Sequence, residues 1–212
     1  SSDLLDGRKE TFQELVQKGL GGFLVRNMES YGILDAMGLT SRIVLDANIY
    51  TMNNRAEAFW MKKGILGDTV PLELNAKELV HRNNKNSELT VYGYTPMMVS
   101  VQCVQKTMDH CNHACVQYVL KDRYQKEFRG VCSCEFCYNT IYNTLPTSLL
   151  KEKEKAEKLG VKAYRLSFTT ETQQETEKIV RAFVDVYLRG QKPDGQMQTE
   201  ETTKGHFQRG VE

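Results

Sequence analysis

Between residues 7 and 85, short apolar runs rich in β-branched residues alternate with stretches of helical periodicity. This alternation constrains the fold more than any other feature, because it is the pattern of successive βα units laid on a parallel sheet. Four strands are predicted here, at 22–27 (GFLVRN), 42–47 (RIVLDA), 70–74 (VPLEL) and 89–93 (LTVYG). Helices are predicted between them: 30–37, ended by Gly38; 55–63, with Asn53 and Asn54 as cap candidates and Gly64 as its stop; and 76–83.

The segment 95–143 interrupts that rhythm. It is rich in Cys, Tyr and polar side chains, has no sustained 3.6-residue period, and reads as a small excursion organised by a metal. The βα pattern returns with a charged helix at 149–159 stopped by Gly160, a fifth strand at 162–168 (KAYRLSF), and a helix through Leu188 that a capping box of Thr170 and Gln173 would start. The implied organisation is a partial β/α barrel over 1–94, a cysteine-rich metal-binding excursion over 95–146, a returning helix–strand–helix over 147–190 and a polar tail over 191–212.

Five strands separated by helices suit an open doubly wound sheet or part of a (β/α)8 barrel. The chain opens on Ser rather than Met, which is read as the loss of an N-terminal part. That favours an α/β fold forming the C-terminal part of a TIM-like barrel, with the cysteine-rich segment as an insertion. Its exposed sheet edges are then expected to pair with the missing N-terminal part of the same protein, or with a second copy as a homodimer.

Lys and Arg number 28 against 27 Asp and Glu, a net charge of +1, so no global field draws the protein to nucleic acid or anionic lipid. No run of roughly 18 apolar residues exists to cross a bilayer, and the opening SSDLLDGRKETF lacks the layout of a signal peptide. The expectation is a cytoplasmic protein without a membrane partner. All six cysteines fall between Cys103 and Cys137, whereas a disulfide framework would spread them along the chain. In a reducing compartment this favours a metal site.

Cys103 and Cys111 have seven residues between them, and Cys134 and Cys137 form a C-x2-C pair. These four are the preferred ligands, Cys115 and Cys132 are alternates, and His110 and His113 stand among them. Zinc takes paired thiolates tetrahedrally and a [4Fe-4S] cluster also takes four cysteines, so the spacing leaves both open.

On a parallel barrel, functional side chains gather at the C-terminal ends of strands, which nominates Arg26, Asn27, Asp46, Asn48, Glu73, Asn75, Tyr94 and Ser167. Asp46 and Glu73 are the candidate acids or bases. His206 joins them because imidazole titrates near neutral pH. No H-E-x-x-H or G-x-S-x-G occurs, so no proteolytic machinery is visible. The run KEKEKAEK at 151–158 reads as a solvated helix face, and Tyr138 and Tyr142 as packing residues or base-stacking platforms.

The segment 88–100, ELTVYGYTPMMVS, followed by Cys103, resembles the signature of the collagenase-like peptidase family U-32. Three further blocks agree with it in order: LKDR at 120–123, CEFCYN leading into IYN over 134–143, and TKGHFQRGV at 203–211. The strands holding Asp46 to Asn48 and Leu72 to Asn75 also look like that family's barrel strands. One departure is Tyr94, where many members carry Arg. The resemblance implies a TIM-like barrel and one of two activities. Some members are called proteases acting on collagen-like or other peptides. Others look like oxygen-independent hydroxylation proteins that act on RNA or a small precursor through a four-cysteine iron–sulfur cluster. Beside these stands a non-enzymatic expectation, a zinc-stabilised module that binds RNA or protein.

Overall fold

A computed structural model describes residues 2–108, 111–193 and 201–210. His110, part of the expected tail and Val211 of the last family-like block lie outside the described residues. The chain is mixed α/β and divides into two compact units. One holds the residues up to Thr90, Glu154–Arg165 and the stretch from Gly205; the other holds Val91–Lys153 and Leu166–Lys204.

The first unit runs α1 (Ser2–Gln17), β1 (Phe23–Val25), α2 (Met28–Ala36), β2 (Ile43–Leu45), α3 (Asn54–Lys62), β3 (Gly67–Thr69), α4 (Ala76–Leu79) and the start of β4 (Ser87–Gly93). Strands β1, β2, β3 and β4 pair in parallel, with Phe23 opposite Ile43, Leu45 opposite Asp68 and Thr69 opposite Glu88. Asn27 starts α2 by accepting the Ser30 N–H at 2.8 Å, and Asn53 starts α3 by accepting from Arg55 and Ala56. At the three glycines expected to stop helices, Gly38, Gly64 and Gly160, φ is positive, the conformation that Gly adopts most easily.

Strand alternation then sorts the side chains. Phe23, Val25, Ile43 and Leu45 point into a core with Tyr31, Leu34, Trp60 and Ile65, against which Phe12, Leu15 and Val16 of α1 pack. Each fully buried apolar side chain of this kind contributes about 1.5–3 kcal/mol. The opposite face carries Leu24, which is half-exposed, and Val44, Glu88 and Thr90, all partly exposed.

The second unit contains the end of β4, then β5 (Pro96–Ser100), α5 (Val104–Thr107), β6 (Gln117–Lys121), β7 (Glu127–Ser133), β8 (Tyr138–Tyr142) and β9 (Thr147–Ser148). Strands β5 to β8 form a four-stranded antiparallel sheet in the order β5-β8-β7-β6. Asp122 closes the β6–β7 hairpin by accepting the N–H groups of Tyr124 at 2.7 Å and Lys126 at 2.9 Å. β9 pairs antiparallel with the end of β4, Tyr92 opposite Ser148. Helix α6 (Lys153–Lys158) and the start of β10 (Ala163–Ser167) return to the first unit, where β10 follows β4 in the sheet order. Helix α7 (Gln173–Phe183) belongs to the second unit and continues as a π-helical turn, Val184–Leu188. Phe183 meets Tyr92 and Tyr187 with ring centroids 6.1 and 5.5 Å apart, and the Tyr187 hydroxyl donates to Leu149 O at 2.8 Å.

Several expectations shift. The third strand lies at Gly67–Thr69 rather than 70–74, because Pro71 has no N–H to give a central ladder. The capping box is Thr172 with Glu175, not Thr170 with Gln173. Glu175 accepts the Thr172 N–H at 2.6 Å, while Glu171 is spent on the N–H groups of Thr169 and Thr170. The helix expected over 149–159 is a 3-10 turn, Leu150–Glu152, followed by α6. The excursion is an antiparallel sheet. The parallel sheet is open among the described residues, and no closed barrel forms there.

Candidate metal centre and strand-end cluster

The antiparallel sheet brings three thiols together. Cys132 lies on β7 with no exposed surface; its Sγ is 3.4 Å from Cys103, at the N-cap of α5, and 3.6 Å from Cys134, at the start of the 3-10 turn after β7. Cys134 also donates to Ala114 O at 2.8 Å. Cys132, an alternate from the sequence, is therefore the central thiol, and Cys103 and Cys134 are the preferred ligands that the structure brings to it. Cys111, Cys115 and Cys137 are exposed. Cys137 sits at φ 52 where the C-x2-C turn reverses, its Sγ 3.7 Å from Cys134 O.

A tetrahedron of zinc–sulfur bonds of about 2.3 Å has an edge of about 3.8 Å, close to both sulfur separations. In a cubane cluster each thiolate caps a different iron at an outward corner, which spreads the sulfurs further. Two sulfur separations are thus near that edge, but among the described residues no group of three His, Cys, Asp or Glu side chains is placed to hold a metal ion.

Electrostatics divides the thiols. Backbone N–H donation from Lys106, together with the Cys132 thiol, holds Cys103 below the ordinary thiol range. Burial, with hydrogen bonds to Cys103 and Cys134, pushes Cys132 up to about 12. Of the two, Cys103 gives up its proton more readily.

Unpartnered buried polar atoms adjoin the thiols. Asn139 faces Cys132 across the β7–β8 ladder and is 1% exposed; its Nδ2 donates to Gln102 O at 2.8 Å, but its Oδ1 has no partner. The Tyr118 hydroxyl and Gln105 Oε1 are likewise buried without partners. Burial, with the charges of Cys132 and Cys103 nearby, raises the Tyr118 hydroxyl above the usual phenol range.

The ends of the parallel strands hold a second constellation. Asp46 accepts from Arg26 Nε at 2.9 Å and Arg165 Nη1 at 2.8 Å, and from its neighbour's backbone, Ala47 N–H, at 2.9 Å. Arg165 also donates to Thr69 Oγ1 at 3.1 Å and pairs with Glu88, which accepts from Thr69 at 2.9 Å. The structure thus joins Arg26 and Asp46 of the nominated residues. Asn27 and Asn75 are helix caps, Asn48 lies in a 3-10 turn, Ser167 ends β10, and Tyr94 lies under the Arg129 guanidinium at 4.9 Å. Glu73 stands outside the cluster with a buried, unpartnered Oε2. So does His206, whose Nδ1 is 2.9 Å from Gly210 O in a turn that abuts Asn75. Thr69, Glu88 and Arg165 were missed by the sequence reading; a charged residue in the middle of an otherwise apolar strand, as in KAYRLSF, was the available signal.

No family model matches this chain, and no curated protein or solved structure matches it.

Proposed function

We propose that the cysteine-bearing sheet holds a metal centre, and that the chain is the C-terminal part of an enzyme of the kind it resembles, the collagenase-like peptidase family U-32. The observation that carries the metal is the approach of Cys103, Cys132 and Cys134 beside unpartnered buried polar atoms. Cys111, Cys115 or Cys137 supplies the fourth thiolate from the exposed turns around it. Of the family's two activities, oxygen-independent hydroxylation of RNA or a small precursor is the one that uses such a centre; an iron–sulfur cluster, when bound, supplies electrons for it. Protease action on collagen-like or other peptides has less support. Asp46 is neutralised by two guanidiniums, and His206 is turned onto a backbone carbonyl, which leaves neither placed as the base of an activated nucleophile.

The partial barrel is part of the same proposal. Helices pack on one face of the parallel sheet, while the other face carries partly exposed Leu24, Glu88 and Arg165. All-parallel sheets are covered on both faces, and closure with further strands would turn that face inward. The expected location is the cytoplasm. Among the described residues no helix is long and apolar enough to cross a membrane.

One observation favours a second reading. Sulfur separations of 3.4 and 3.6 Å suit a single zinc ion, and zinc closed by four thiolates offers no open position for chemistry. The chain would then be a zinc-stabilised module that binds RNA or protein. Anaerobic purification followed by metal analysis separates these. Iron with sulfide and broad visible absorbance supports the hydroxylase reading, stoichiometric zinc in colourless protein supports the binding module, and metal retained in full by Cys132→Ala overturns the centre.

A further inference from the structure

Cys132 is fully buried on β7, and its Sγ meets two other sulfurs, Cys103 at 3.4 Å and Cys134 at 3.6 Å. A disulfide bond is about 2.05 Å long, so the Cys103 and Cys132 sulfurs have about 1.4 Å left to close. Cys134 stands differently towards Cys132. Only Ser133 separates the two, and it is paired with Tyr138 in the β7–β8 ladder. Residues on either side of a strand position lie about 6–7 Å apart, which is at the far end of what a disulfide spans. Exposure separates the thiols as well: Cys103 and Cys132 are buried, Cys134 is partly exposed, and Cys111, Cys115 and Cys137 are exposed.

We propose that Cys103 and Cys132 are a redox pair that closes to a reversible disulfide, with Cys134 as the thiol through which a peroxide reaches them. This goes beyond the metal-centre reading and rests on the sulfur positions alone; the bond withdraws both sulfurs from any metal. The Cys134 sulfur attacks hydrogen peroxide, its S–O bond forming as the O–O bond breaks, and water leaves behind a sulfenic acid. The Cys132 thiol displaces that hydroxyl as a second water and makes a transient bond to Cys134. Cys103 then attacks the Cys132 sulfur, and its proton goes to the departing Cys134, which is a thiol again. The pair has lost two protons and two electrons, and the peroxide has become two waters. A dithiol reductant runs the exchange backwards. Disulfides that form inside a reducing compartment are usually of this transient, redox-sensing kind.

The test is limiting hydrogen peroxide added to the full chain, reduced beforehand and kept with a chelator, followed by alkylation and peptide mapping by mass spectrometry. The expected product carries a Cys103–Cys132 link that dithiothreitol reopens, while Cys111, Cys115 and Cys137 are recovered mainly as alkylated thiols. The same treatment in urea should scatter the links among all six cysteines, because the selectivity comes from the fold. Cys134→Ser should form the same link more slowly. A native link mapped to another pair, or the same scatter with and without urea, overturns the redox pair. An unchanged rate in Cys134→Ser overturns its role as the entry thiol. Because metal is withheld throughout, a purified protein lacking both zinc and iron counts against the metal centre and leaves this result standing.

Discussion

Arg82 spends its guanidinium entirely inside the first unit. It donates to Thr51 O at 2.8 Å, to Asn84 Oδ1 and Ser87 Oγ at 2.9 Å each, to Thr51 Oγ1 at 3.0 Å, and to Asp68. Asp68 accepts in addition from Ser87 at 2.5 Å and from Thr51. With side chains 2% and 1% exposed, the two charges are viable only together. Arg82→Met should therefore destabilise the protein by about 3–5 kcal/mol, because it strands a buried carboxylate, whereas pairing it with Asp68→Leu should recover most of that loss. Urea denaturation of the three proteins checks this; a double variant as unstable as the single would contradict it. This network was not legible in the sequence, and of the cluster at Arg165 only Arg26 and Asp46 were. Asp68 and Arg82 are ordinary charged residues until strand register turns one inward and a helix end delivers the other.

Elements were more legible than their partners. The parallel strands at Phe23, Ile43 and Leu89 were readable because apolar runs flanked by Asn and Gly leave few alternatives, and Asn53 named the start of α3, whereas the capping roles of Asn27 and Asn75 were missed. The antiparallel sheet was not readable: β6 and β7 mix Gln, Lys, Arg and Gly into their alternation, and one side of each is half-exposed. Its hairpin is also set by Asp122 rather than by a tight Asn-Gly turn. The spacing of the cysteines led to the proposal of a metal site, but it did not show that Cys132 stands between Cys103 and Cys134, which strand position decides. At the start of α7 the capping box has its own consequence. Hydrogen bonds from Thr172 hold the Glu175 carboxyl below the ordinary range. A lowered folded-state pKa contributes stability that is present above the unfolded value of about 4.3 and lost as pH falls through the folded one. Thermal melts across pH 2–6 should therefore show a shallower acid decline for Glu175→Ala than for the parent protein; superimposable slopes would remove the carboxylate from this role.

At the scale of the whole molecule, the unresolved demand is the sheet edge. β5 ends the antiparallel sheet and presents Met97, Met98 and Val99 at 61%, 51% and 64% exposure, with Val101 just beyond at 86%. Edge strands are ordinarily blunted by Lys, by inward charges or by a covering element. Here MMVSV has no charge on either face, and only Pro96 at its start discourages pairing. A second copy laid antiparallel across a two-fold axis meets no like charge and continues the ladder, which is the pairing expected of a self-complementary edge. One five-residue strand falls short of the roughly 1,200 Å² typical of stable interfaces, so association should be weak and depend on concentration. Sedimentation velocity over a hundredfold range of protein concentration should show a monomer–dimer shift in the parent protein. Val99→Lys, which places like charges opposite each other at the axis, should hold the chain monomeric without changing its melting temperature. A parent protein that sediments as a monomer throughout would mean that this edge does not pair with itself.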